Sequence, residues 1–191
     1  MGVSYEEAEA KLREWTSGPS LLGHARAVEA AMRRAAHRYG RGAADETSWA
    51  IAGLVHDADY ERWPDEHPQR VVAWLNEQGE PEIAHAVAAH ASSRTGVEPE
   101  STLDKALLAC DELAGFVVAC ALVRPEGIRS LAPSSVKKKL KDRSFAAKVD
   151  RDEIRSALER LGADPDEHIR LMIDALAEHA DALGLGGRAD A

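Results

Sequence analysis

The chain has 191 residues, 45% hydrophobic but only 5% aromatic, and a formal net charge of −9. A chain of this length buries roughly 70% of its unfolded surface on folding, so neither a metal nor a disulfide is required as a staple. The acidic balance argues against a general nucleic-acid binder, which needs clustered basic residues to meet phosphates.

Ala, Leu, Glu and Arg dominate, which predicts helix nearly everywhere. Ser4 with Glu7 three residues later has capping-box spacing and opens a first helix over 5–16, which Gly18-Pro19 breaks. Pro19 suits the first turn of a second helix that stops at Gly40. Asp45 or Thr47 caps a third helix running to His56-Asp57. Residues 59–68 hold two prolines and read as irregular. Helices over 67–79 and 81–92 follow, then a loop over 94–99. Ser101 or Thr102 starts the longest helix, ending at Arg124-Pro125. Beyond a turn region come helices over 134–141, 150–161 and 165–183, and residues 184–191 read as a flexible tail.

These elements predict an all-α chain with a single domain over 1–183. The most apolar stretch, 106–123, carries Asp111 and Glu112 and so does not read as a membrane span. The amino-terminal stretch is acidic and amphipathic rather than a secretory leader, and a cytoplasmic location is expected. Cys110 and Cys120 lie about 15 Å apart along one helix, too far to bridge, and read as reduced core residues.

The pair His56-Asp57 ends an apolar helical pattern, and such a pair offers a neutral nitrogen and an anionic oxygen to borderline divalent ions. Helical phase tests the other candidates. His24 shares a stripe with Leu21, Val28, Ala31, Met32 and Ala35, whereas His37 faces away. His90 lies with Ile83, Ala86 and Val87, and His85 turns outward. Asp111 falls in the stripe of Leu107, Leu108, Gly115, Val118 and Leu122, which reads as the core face; an unpaired carboxylate there would be costly without a cation. His168 and His179, among Asp and Glu in the last helix, read as solvated.

The order His24, His56-Asp57, Asp111 resembles the metal-dependent phosphohydrolase superfamily named for its HD motif, over residues 20–125 or so. The resemblance implies an HD-domain helical bundle with the carboxy-terminal helices packed on it. It implies one or two divalent transition metals (Fe, Mn, Co, Ni or Zn). His24, His56, Asp57 and Asp111 would hold one, and Asp57, as bridge, His67 and His90 the other. The run His56-Asp57-Ala58-Asp59-Tyr60-Glu61 is also similar to a small bacterial HDxDYE branch. Many dinuclear relatives carry Lys three residues after the HD Asp, where this chain has Tyr60.

Two metals 3.5 to 4 Å apart, roughly, can lower the pKa of water and clamp a phosphoryl group for in-line attack. The expected activity is therefore hydrolysis of a small, anionic, nucleotide-like phosphate ester, with Asp57 and Tyr60 as catalytic residues. Lys137, Lys138, Lys141 and Arg143, in a basic stretch of an acidic chain, are candidate substrate-binding cations. A dinuclear-iron oxygenase on the same ligands, or a non-catalytic metal- or nucleotide-binding module, stay open as alternatives.

Overall fold

Ser4 starts the first helix for a local reason. Its hydroxyl accepts from the Glu7 amide at 3.2 Å, and the Glu7 carboxylate accepts from the Ser4 amide at 2.8 Å. Ser101 and Asp104 close a second capping box in the same way. The computed structural model describes residues 2–187, and among these there are ten α-helices and no strand. They are α1 (Tyr5–Trp15), α2 (Pro19–Tyr39), α3 (Glu46–Val55), α4 (Gln69–Glu77), α5 (Pro81–His90), α6 (Ser92–Thr95), α7 (Thr102–Leu122), α8 (Pro133–Leu140), α9 (Arg151–Leu161) and α10 (Pro165–Glu178). The expected all-α class holds.

α2 and α7, the two longest helices, carry the architecture: α3 and α10 pack on α2, and α5 and α9 pack on α7. Gly53 lets α3 approach α2 closely, since a Cβ there would sit 2.9 Å from the Val28 carbonyl oxygen and 3.0 Å from the Glu29 nitrogen. Small residues make this contact dry; Ala27, Val28, Ala31, Ala52 and Val55 are fully buried beside it. The residues after α3 form successive turns rather than a helix, fastened back by the Thr16 hydroxyl, which donates to the Ala58 carbonyl at 2.9 Å.

Four expectations change. Residues 92–95 form a short helix closed by Gly96 at φ +72°, which takes in the first two residues of the loop expected over 94–99. α10 ends at Glu178, and the following residues continue as turns. Of the expected tail, 188–191 lie outside the described residues, but Leu185 is buried and its carbonyl accepts from the Ile128 amide at 2.9 Å. His168 is fully buried rather than solvated, because its ring is wedged between α10, α2 and α7.

The stripe of Asp111 also departs from expectation. Leu107 is buried, yet Gly115 and Val118 are only half-buried and Leu122 is 61% exposed. The core face of α7 is instead Ala106, Cys110, Leu113, Ala114, Val117 and Ala121. Beyond Asp111 its apolar stripe lines an opening.

Candidate metal centre

His56 stands at the end of α3, where the last turn leaves carbonyls to satisfy, and its Nδ1–H donates to the Gly53 carbonyl at 2.8 Å. A carbonyl can only accept, so Nδ1 carries a proton and Nε2 is the nitrogen left to face the acids. That Nε2 is buried and has no hydrogen-bond partner. It lies 3.3 Å from Asp111 Oδ1 and 3.5 Å from Asp57 Oδ2.

The same arrangement recurs twice. His67 donates Nδ1–H to the buried Asp59 carboxylate at 2.7 Å and turns Nε2 to within 3.3 Å of Asp57 Oδ1. His90, at the end of α5, donates Nδ1–H to the Val87 carbonyl and brings Nε2 to 3.5 Å from the same oxygen. Fixing one ring nitrogen in this way orients the other as a metal ligand. His24 on α2 completes the set, with Nε2 2.9 Å from Asp111 Oδ1 and 3.8 Å from Asp57 Oδ2.

All six expected donors therefore converge, and Asp57 divides them. Its Oδ2 faces His24 and His56, and its Oδ1 faces His67 and His90. Donors held about 2.0–2.2 Å from one ion stand roughly 3 to 4 Å from each other, the separations found here. The electrostatics agree. Burial alone would lower the His56 pKa, but the neighbouring Asp57 and Asp111 charges outweigh it and raise it to about 9. Burial likewise works against ionised Asp57 and Asp111, yet the imidazoles around them hold both carboxyls well below the ordinary range. A field that holds a proton on His56 also holds a divalent cation.

Three acids are additions to the sequence reading. Asp59 is fully buried; besides orienting His67, its Oδ2 accepts from the Arg70 and Val71 amides at 3.0 and 3.1 Å, at the start of α4. Its position two residues after the HD pair was the available signal. Glu112 is raised to about 7, by burial first and then by Asp111 and Glu153. Glu153, on α9, is raised by burial, Asp111 and Asp150. Glu112 follows Asp111 directly in α7, whereas Glu153 carries no sequence signal, because only docking of α9 on α7 brings it near.

Tyr60 stands edge-on to His67, ring centroids 5.2 Å apart, and lines a pocket of about 870 Å³ that opens beside His24. The basic residues are elsewhere. None of Lys137, Lys138, Lys141 and Arg143 lines that pocket. Lys137 pairs with Asp166 at 2.7 Å, and Lys138 lines a separate hollow with Cys120 and Arg124. Cys120 lies about 14 Å along α7 from Asp111. Lys141 and Arg143 are exposed. α8 carries Lys137 and Lys138 away because its buried residues, Pro133 and Val136, dock it on α10 and α7.

The family model described as HD domain matches residues 21–115, a span that includes His24, His56, Asp57, His67, His90 and Asp111. Residues 21–115 belong to the HD domain family. No curated protein and no solved structure matches the chain. HD domains bind divalent metals, and the His and Asp clusters of this one are able to hold such ions. No helix among the described residues is long and apolar enough to cross a membrane.

Proposed function

We propose that this HD domain is a phosphohydrolase that cleaves a small phosphate ester with two divalent ions bridged by Asp57. The observation that carries the reading is the division of the Asp57 carboxylate between two donor sets. His24, His56 and Asp111 would complete one set, and His67 and His90 the other. When bound, such ions supply an activated water and neutralise charge on the phosphoryl group. The protein's part is to hold the donors at fixed separations: the Gly53 and Val87 carbonyls and Asp59 lock three rings before any ion arrives. Tyr60, beside His67 on the pocket wall, is assigned as a hydrogen-bond donor to a substrate oxygen. The set is mixed nitrogen and oxygen, which suits Mn, Fe, Co, Ni or Zn alike.

The test is a panel of phosphate esters assayed without oxygen on protein loaded separately with each metal. Phosphate release, lost together with bound metal in Asp57→Asn, is expected. Turnover that requires oxygen would sink the proposal in favour of a dinuclear-iron oxygenase, and metal binding with no turnover on any ester would make the site a binding module. Tyr60→Phe is expected to keep the metal content and to lower the rate at least tenfold.

A further inference from the structure

The pocket beside His24 is walled by two of the helices that carry metal-site residues, α2 and α7. On α7, Asp111, Gly115, Val118 and Leu122 follow one another at helical spacing, so the wall runs about 16 Å from the cluster. Pro19, Leu21 and Gly23 of α2 and Leu183 face it. The wall is mainly apolar, and among the described residues no lysine or arginine lines it.

Gly23 and Gly115 sit inside helices, where glycine is the worst choice after proline. Packing does not demand either one, because a Cβ at each would meet nothing within 4 Å. Gly53 is the contrast: there the backbone of α2 lies against the missing Cβ. At Gly23 and Gly115 the room left by the absent side chain belongs to the pocket.

We infer that this pocket receives an extended, uncharged, apolar leaving group, so that the substrate is the phosphomonoester of an apolar alcohol rather than a polyphosphorylated molecule. The inference rests on the hydrolase reading. Water adds its oxygen to phosphorus, the ester P–O bond breaks, and the alcohol leaves with a proton from that water. The phosphoryl group would sit at the His24 end and the apolar chain along Gly115, Val118 and Leu122. Glu61 holds the mouth in shape, since its carboxylate accepts from the Ser17 hydroxyl at 2.7 Å and the Gly18 amide at 2.8 Å, fixing the start of α2.

Octyl phosphate and methyl phosphate test this, because their leaving groups have similar basicity and differ only in apolar length. With metal-loaded protein the expected kcat/KM ratio favours octyl phosphate at least tenfold, and Gly115→Leu cuts that ratio at least tenfold. Gly115→Ala is expected to raise Tm by about 1 to 3 °C, as a helix gains from losing an unneeded glycine; a lower Tm would make the glycine structural and overturn its assignment to the pocket. Calorimetric binding of octylphosphonate and methylphosphonate gives a readout without turnover. If the octyl compound binds at least tenfold tighter and Gly115→Leu removes the difference, the pocket assignment stands even where no ester is cleaved, and only the hydrolase reading fails. Ester cleavage with an octyl-to-methyl ratio near one, or a preference for ATP over octyl phosphate, overturns the pocket assignment and leaves the hydrolase. A dimer that Leu122→Glu dissolves, with no octyl selectivity, gives the wall to a second copy and overturns it too.

Discussion

The Nδ1–H of His67 has one acceptor, the buried Asp59 carboxylate, and that carboxylate also takes two amides from the start of α4. Asp59 therefore couples the direction of a candidate ligand to the seating of a helix. Asp59→Asn keeps the size but cannot accept from all three donors with two oxygens. Loss of such an orienting partner typically weakens a metal site 10–100-fold or so. The expected outcome is selective: in a manganese titration the equivalent held by His67 and His90 weakens by that factor, while the one held by His24, His56 and Asp111 keeps its affinity. Equal weakening of both, or of neither, would show that Asp59 serves the helix alone. That His24 and His90 face inward was legible from helical phase, and the positions of His56, Asp57, His67 and Asp111 from the HD order. Asp59 was not given a role, since a carboxylate one turn past a helix end has no periodic company to reveal what it touches.

At the scale of the elements, the centre depends on how closely α3 lies against α2, because His56 hangs from the last turn of α3 through a carbonyl of Gly53. Gly53→Ala would push a methyl group to 2.9 Å from the Val28 carbonyl oxygen and 2.9 Å from Met32 Cγ. Met32 can move, but the backbone of a long buried helix cannot. Overpacking of this kind costs about 1 to 3 kcal/mol. Urea denaturation is expected to show that loss, together with weaker metal retention, as His56 is displaced; an unchanged midpoint would mean the helices separate freely. Helix starts were readable where a side chain closes a local ring, as at Ser4 and Ser101. The stripe of Asp111 misled for the opposite reason. Gly115, Val118 and Leu122 have the periodicity of a core face, and periodicity does not distinguish a wall covered by protein from one left open to a pocket.

For the molecule as a whole, the carboxy-terminal helices must dock on the HD domain, and His168 is the buried polar link in that contact, beside the exposed pairs Arg34–Glu178 and Arg38–Glu167. Its Nε2–H donates to the Ala109 carbonyl of α7 at 3.2 Å, and its Nδ1 accepts from the Tyr39 hydroxyl, at the end of α2, at 3.0 Å. Its charged sequence neighbours, Asp164, Asp166 and Glu167, concealed this, because burial here comes from contacts made across more than fifty residues of chain. The neutral ring satisfies every partner; a proton on Nδ1 would face the hydroxyl that now donates to it. Burial accordingly lowers the His168 pKa from 6.5 to about 4, partly opposed by the Ala109 carbonyl. The unfolded chain then binds the proton more readily than the folded one. The stability that depends on a neutral His168 is present in full above pH 6.5 and is lost as pH falls through 6.5 toward 4. A difference of about 2.5 pKa units corresponds to about 3 kcal/mol. His168→Gln removes the titration while keeping an amide able to meet one partner. Subtracting the two stability curves cancels the other titrating groups, including those of the metal centre. The wild-type chain is expected to lose about 3 kcal/mol more than the variant between pH 6.5 and 4, with α10 released first in hydrogen exchange. Parallel curves would mean that the docking of α10 does not depend on a neutral His168.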